Sequence, residues 1–204
     1  MTGIRLAHEL DLATLPLYPG VSLAEIVLVN TEAALADATR ALPNADVLGF
    51  DSESKPVFRK GEVSTGPHLI QLATDTRVFL FPVLRFPAAH PLLKQLLENP
   101  EIRKVGMGLG NDRSALQSRL DISPKALFDL GEALRGPAHR GTVGAKVAVA
   151  HFFGQRLIKS KKTGTSNWAA AVLTERQCLY AANDAHVALK LYRRWMAMQA
   201  GEVA

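Results

Sequence analysis

Cysteine occurs once in the 204 residues, as Cys178, which excludes any disulfide within the chain and fits a reducing compartment. The N-terminal stretch lacks a basic segment leading into a long apolar one, because Glu9 and Asp11 interrupt it. No apolar run approaches the roughly 20 residues of a membrane helix. The expectation is a soluble, cytoplasmic chain with no membrane partner. The six histidines show no zinc-ligand spacing. Acidic residues are missing altogether from Ala133 to Thr174, a stretch that holds Arg135, Arg140, Lys146, Arg156, Lys159, Lys161 and Lys162. Within a net charge of only +5, that local surplus suits either a polyanion such as nucleic acid or an ordinary solvated face.

Several cofactor signatures are absent as well. Gly106, Gly108 and Gly110 follow a G-x-G-x-G spacing that fails the G-x-G-x-x-G of dinucleotide sites, and no acidic residue stands at the later position such a site needs. Gly141-Thr-Val-Gly-Ala-Lys146 is not a phosphate-binding Walker loop. Lys162-Thr-Gly164 has no preceding Ser-x-x-Lys partner and so is no β-lactamase signature.

A hydrophobic content of 48% gives a chain of this length enough apolar surface for a sizeable core, and one domain over residues 1–204 is expected, with its core over about 26–200. Ile26 to Val29 and Val47 to Glu53 read as strands, with a helix between them through Ala33, Ala34, Ala38 and Leu42 that Thr31 can cap and Pro43 closes. Leu69 to Ala73 and Val78 to Phe81 flank Thr74-Asp-Thr-Arg77 and read as a hairpin. Helix and strand then alternate: Pro91 to Leu97, Arg103 to Met107, Asp112 to Leu120, Ala126 to Asp129. Val143 to Phe153 is helical, and Thr174-Glu-Arg-Gln177 opens a long amphipathic helix to about Ala200. Ser54 to Pro67 and Lys159 to Gly164 are expected as mobile loops. The fold class is α/β, a mixed sheet of about five strands flanked by helices.

Four carboxylates and one tyrosine carry the chemistry. Asp51 and Glu53 are two apart in a strand and share a face, and Gly49 on that face leaves room beneath them. Tyr180 and Asp184 are four apart in a helix and stack on one side. Asp112 starts a helix, where a carboxylate acts as an N-terminal cap or as a ligand. Two carboxylates about 4 Å apart repel by roughly 4 kcal/mol at an effective dielectric of 20. Something positive therefore belongs among them, and a pair of Mg²⁺ or Mn²⁺ ions, which take oxygen ligands, is the natural candidate. A tyrosine with an ordinary pKa of about 10 orients water better than it deprotonates it.

In this order, the fragments resemble the DEDDy branch of the DnaQ-like 3′–5′ exonuclease superfamily. Gly49-Phe-Asp-Ser-Glu-Ser-Lys-Pro56 is similar to its first motif and Lys104-Val-Gly-Met-Gly-Leu-Gly-Asn-Asp112 to its second. The third spans Ser166-Asn-Trp168, Leu173-Thr-Glu-Arg-Gln177, Tyr180-Ala-Ala-Asn-Asp-Ala185 and Leu191-Tyr192, with Phe153-Gly-Gln-Arg-Leu-Ile-Lys159 leading in. It is closer to the Werner type than to ribonuclease D. Leu179 stands where the sister branch carries histidine, which leaves Tyr180 as the distinguishing residue.

The resemblance implies an RNase H-like fold and hydrolysis of DNA or RNA from the 3′ end to nucleoside 5′-monophosphates, with two divalent ions as cofactors. It implies that Asp51 bridges the ions, Glu53 and Asp184 complete the first site, Asp112 holds the second and Tyr180 aligns the water. Arg156, Lys159, Lys161 and Lys162 become candidates to hold the phosphate backbone, and Trp168 to stack on a base or to pack beneath the last helix. Two rivals stay open: a silent nucleic-acid-binding module of the same fold, and a phosphodiesterase acting on short oligonucleotides.

Overall fold

Strand β2, Val47–Glu53, buries its first four residues and leaves its last three only partly covered, so one strand runs from the core to the surface. In the computed structural model, which describes residues 11–57, 61–136 and 141–201, β2 lies inside a six-stranded sheet of order β1-β4-β3-β2-β5-β6. The other strands are β1 (Ile26–Leu28), β3 (Leu69–Ala73), β4 (Val78–Phe81), β5 (Arg103–Gly106) and β6 (Leu127–Asp129). Antiparallel pairing joins β2 to β3 and β3 to β4, while β1–β4, β2–β5 and β5–β6 are parallel. The sheet is one strand larger than the approximate count expected, because both three-residue edge strands pair. Glu9, Arg140 and residues 58–60 of the Ser54–Pro67 segment lie outside the described residues.

The helices are α1 (Glu32–Ala41), α2 (His90–Glu98), α3 (Asp112–Leu120), α4 (Leu130–Ala133), α5 (Ala145–Phe153), α6 (Lys161–Gly164) and α7 (Glu175–Gln199). They form two layers, and the alternation of side chains along each strand feeds both. Val47, Leu69 and Val105 pack with Ala148 and Val149 of α5 and Ala181, Ala185 and Leu189 of α7. Leu48, Phe50, Ile70 and Phe79 pack on the other side with Ala38 of α1, Leu93 and Leu97 of α2 and Leu116 of α3. Covered on both faces, β3 and β4 are buried along their whole length, which is why they read as unbroken apolar runs. None of the helices among the described residues is long and apolar enough to cross a membrane.

Thr174-Glu-Arg-Gln177, expected to open a long helix, does so through a capping box on α7. The Thr174 hydroxyl accepts from the Gln177 amide at 3.2 Å, and the Gln177 side chain accepts from the Thr174 amide at 3.0 Å. α7 then lies across β2, β3, β4 and β5. Its approach corrects the reading of Gly49: the space over this glycine is filled, since a Cβ there would stand 2.1 Å from the Ala185 carbonyl oxygen. Gly49 is what lets helix and strand touch backbone to backbone.

Two further findings depart from expectation. The Lys159–Gly164 segment is not a plain loop: Lys161–Gly164 is a helical turn, with the Ser160 hydroxyl accepting from the Thr163 amide at 3.3 Å. Lys104, named above only as a motif residue, is fully buried, and its ammonium donates to the carbonyls of Leu96 at 3.2 Å and Asn99 at 2.7 Å. It thereby supplies donors to carbonyls that the end of α2 leaves open, and burial pushes its pKa down to about 8.

Candidate active site

The partly covered end of β2 is where the carboxylates gather. Asp51 and Glu53 continue the row of Val47 and Gly49 and so face α7. On α7, Asp184 immediately precedes Ala185, the residue in contact with Gly49, so the backbone contact sets Asp184 over the end of β2. Tyr180 lies one turn earlier on the helix. Asp112 comes from the opposite layer: it opens α3, and its Oδ1 accepts from the Ser52 hydroxyl at 2.5 Å. Ser52 therefore ties the second motif to the first, a role hidden in its position between the two acidic residues of β2.

The glycines ahead of Asp112 are backbone devices. A Cβ on Gly106 would stand 2.6 Å from the Phe50 carbonyl oxygen, and Gly108 adopts φ 78°, which favours glycine. Asp129 fastens this loop by accepting from the amides of Gly108 at 3.0 Å and Leu109 at 2.7 Å. Nothing in the sequence pattern singled out Asp129, because its partners lie on a different strand connection.

The electrostatics are those of crowded, desolvated acids. Burial, then the charges of Asp184 and Asp112, hold the Asp51 carboxyl well above its ordinary range. Burial, then Asp51 and Asp184, push Glu53 up to about 9. Burial raises Asp112 and, against the pull of Lys159, Asp184 as well. The Tyr180 hydroxyl is pushed up to about 12 by burial and by Asp184, so it stays protonated. Lys159 answers this charge: its ammonium lies 2.9 Å from Asp184 Oδ2 and 5.6 Å from the centre of the Tyr180 ring. Although burial opposes it, Asp184, Tyr180 and Asp51 keep Lys159 firmly charged. With one ammonium for four acids, the cluster retains protons in place of the positive charge that full ionisation would need.

Among the described residues no group of three or more acidic, histidine or cysteine side chains stands as a ready-made metal cage. The donors nonetheless suit a hard divalent cation. They are carboxylate oxygens from Asp51, Glu53, Asp112 and Asp184, buried and mutually repelling, with no thiolate among them.

The basic candidates separate. Lys159 is in the cluster, whereas Lys161 and Lys162 are exposed on α6, at the rim. Arg156 lies half-buried on the segment before Lys159. Trp168 does not offer a face to a base: it is 2% exposed, its indole N–H donates to the Gly164 carbonyl at 3.0 Å, and its ring centre is 6.0 Å from that of Tyr180. It packs behind the tyrosine and fixes it. Cys178 is half-buried and packs against the core.

Residues 26–198 match the family model described as 3′–5′ exonuclease. The chain belongs to the 3′–5′ exonuclease family. Among its relatives in the exonuclease family, it is 31% identical over 159 residues to the mouse bifunctional 3′–5′ exonuclease/ATP-dependent helicase WRN, a match covering 78% of this chain and 11% of that protein. The chain thus spans about a tenth of that relative's length. The exonuclease domain of Aedes aegypti Nibbler superposes with a TM-score of 0.73 at 24% identity, covering 89% of this chain and 91% of that one. Trypanosoma brucei ribonuclease D in complex with RNA U12 superposes with a TM-score of 0.73 at 22% identity, over 83% of this chain and 61% of that one. The fold shared with these neighbours is RNase H-like, as the motifs implied.

Proposed function

We propose that this chain is a metal-dependent 3′–5′ exonuclease of the DEDDy type, hydrolysing nucleic acid to nucleoside 5′-monophosphates. The observation that carries the reading is the convergence of Asp51, Glu53 and Asp184, with Asp112 tied in through Ser52, around a single ammonium beside a protonated tyrosine. Family membership and the RNA bound to a structural neighbour support the same substrate class.

Asp51, Glu53, Asp112 and Asp184 would hold two divalent ions, Mg²⁺ or Mn²⁺. When bound, such ions supply positive charge against the charge developing on phosphorus and the leaving oxygen, and they acidify water. The protein's own groups then do the positioning. The Tyr180 hydroxyl, undissociated near neutrality, holds the attacking water by a hydrogen bond and keeps it in line with the bond to be broken. Water forms a new P–O bond, the bond to the 3′ oxygen breaks, and the proton lost by the water balances the one gained by that oxygen. Lys159, whose ammonium pairs with Asp184 at 2.9 Å, would be free to donate to a phosphate oxygen if Asp184 were to hold a cation instead.

Purified protein with Mn²⁺ and a 5′-labelled oligonucleotide should yield a ladder shortened from the 3′ end, and Asp51→Ala should yield none. Identical products from both proteins would remove the assignment. Salt-sensitive binding with no products under any divalent ion would select the silent binding module instead. Tyr180→Phe should lower kcat roughly 10²-fold while Mn²⁺ binding persists.

A further inference from the structure

Strand β3 reads Leu69-Ile-Gln-Leu-Ala73, and its middle residue is the one polar side chain in a strand buried along its whole length. Gln71 is 0% exposed, and neither its Oε1 nor its Nε2 meets a hydrogen-bond partner among the described residues. A primary amide carries two donor hydrogens and an acceptor oxygen, so an unpartnered one in a core bears a heavy desolvation cost. Buried side-chain polar groups in native proteins are overwhelmingly paired. A leucine here would complete the apolar run without that cost, so the amide needs a reason to be present.

Its place in the sheet supplies one. Gln71 stands directly opposite Asp51 in the antiparallel register of β2 and β3. Opposed residues project from the same face with their Cβ atoms about 5 Å apart, whereas a diagonal neighbour, here Glu53, lies about 7–8 Å away. That face is the one beneath α7, because Leu69 and Ala73, two positions to either side of Gln71, belong to the cluster packed on that helix. The adjoining pair, Gly49 and Ala73, fixes the position along the helix: a Cβ on Gly49 would stand 2.1 Å from the Ala185 carbonyl oxygen and 3.1 Å from the Ala73 Cβ. The pair of Asp51 and Gln71 therefore sits one same-face step nearer the partly covered end of β2, towards Asp184. On its other side Gln71 is opposed by Leu80 of β4, and Ala181, Ala182 and Ala185 of α7, in the same cluster, carry no polar side-chain group. Asp51 is thus the nearest polar side chain that the sheet offers to the amide.

We propose that Gln71 is a positioning residue for Asp51, its amide N–H donating to the Asp51 carboxylate and holding it in the orientation that takes cations. The inference rests on the exonuclease reading, which asks Asp51 to be a metal ligand. The Ser52 amide already donates to Asp51 Oδ1 at 2.8 Å. One hydrogen bond leaves the carboxylate free to rotate about it, and a second donor from the core side fixes its plane. The chain gives up stability at Gln71 and gains a preorganised ligand, an exchange expected where a core and a site meet.

The test is Gln71→Met, which keeps the volume and removes the amide. Calorimetry should show Mn²⁺ binding weakened roughly 10–100-fold. At a fixed Mn²⁺ concentration below saturation, kcat on a 5′-labelled oligonucleotide should fall while its KM stays unchanged. The melting temperature in EDTA should hold or rise, because removing both polar atoms of an unsatisfied amide relieves their desolvation. A glutamine that merely packs gives the reverse pattern, a lower melting temperature with wild-type Mn²⁺ affinity. A second readout needs no variant: a crystal structure of the wild type with Mn²⁺ should show Gln71 Nε2 within about 3.2 Å of an Asp51 carboxylate oxygen. Unchanged Mn²⁺ affinity in Gln71→Met, or an amide directed away from Asp51 in the metal-bound crystal, overturns the proposal. Should wild type bind Mn²⁺ but cleave nothing, the exonuclease reading fails while the affinity comparison and that distance still decide the role of Gln71.

Discussion

Gly49→Ala is the smallest change that should take the active site apart. It adds one methyl group, which would stand 2.1 Å from the Ala185 carbonyl oxygen, whereas ordinary contact begins at 3.4 Å, so α7 must retreat by about 1.3 Å. A backbone carbonyl inside a 25-residue helix cannot rotate aside as a side chain would. The cost should therefore reach the top of the usual range for overpacking, about 3 kcal/mol. For a chain of this size that lowers the melting temperature by roughly 6–12 °C. The same retreat draws Asp184 and Tyr180 away from Asp51 and Glu53, and a displacement near 1 Å costs roughly 10²-fold in rate. Thermal unfolding and initial rates on a 5′-labelled oligonucleotide, assayed well below the lowered melting temperature, measure both effects. Gly110→Ala serves as the comparison, since nothing lies within 4 Å of the Cβ it would add. A Gly49→Ala protein that melts and cleaves like wild type would refute the claim that this contact sets the site.

Other outcomes follow from groups whose proton balance or partners are visible. Burial and the charges of Asp51 and Asp184 push Glu53 from 4.5 to about 9, so between those values the folded chain holds more protons than the unfolded one. The metal-free protein should thus lose stability as pH rises through that window, Glu53→Gln should flatten the fall, and Mn²⁺ should offset it; a melting temperature in EDTA that climbs with pH would contradict this. Lys104 behaves in the opposite sense: its folded pKa of about 8 lies below 10.5, so its contribution makes stability rise between those values, and Lys104→Met should remove that rise in pH-dependent denaturation. Ser52→Ala deprives Asp112 of its donor and should weaken Mn²⁺ binding by roughly 10–100-fold in calorimetry with little change in melting temperature; unaltered affinity would show that Asp112 needs no such support.

The parts legible in the sequence are those whose signal is local. β3 and β4 announce themselves as short apolar runs around a turn, α7 by its capping box, and Asp51 and Glu53 by sharing a strand face. What the sequence hid depends on contacts through space. Gly49 looked like a gap because the helix that fills it is more than a hundred residues away in the chain. The sequence offers Lys159 as a phosphate contact but not its pairing with Asp184, and it leaves Trp168 between stacking and packing until its contacts with Gly164 and Tyr180 decide for packing. Lys104 was invisible for a related reason: a lysine in a strand looks solvated unless the end of α2 is known to lie above it.

The place of α7 in the chain has a consequence for when the activity can arise. β2 presents Asp51 and Glu53 early, but their opposite numbers, Tyr180 and Asp184, belong to the last helix described, and that helix also covers β3, β4 and β5. Until residues 175–199 have left the ribosome and docked, the sheet keeps an uncovered apolar face and the carboxylates of β2 face water alone. On the proposed reading, a nascent chain cannot yet cleave nucleic acid, because Tyr180 and Asp184 arrive only with α7.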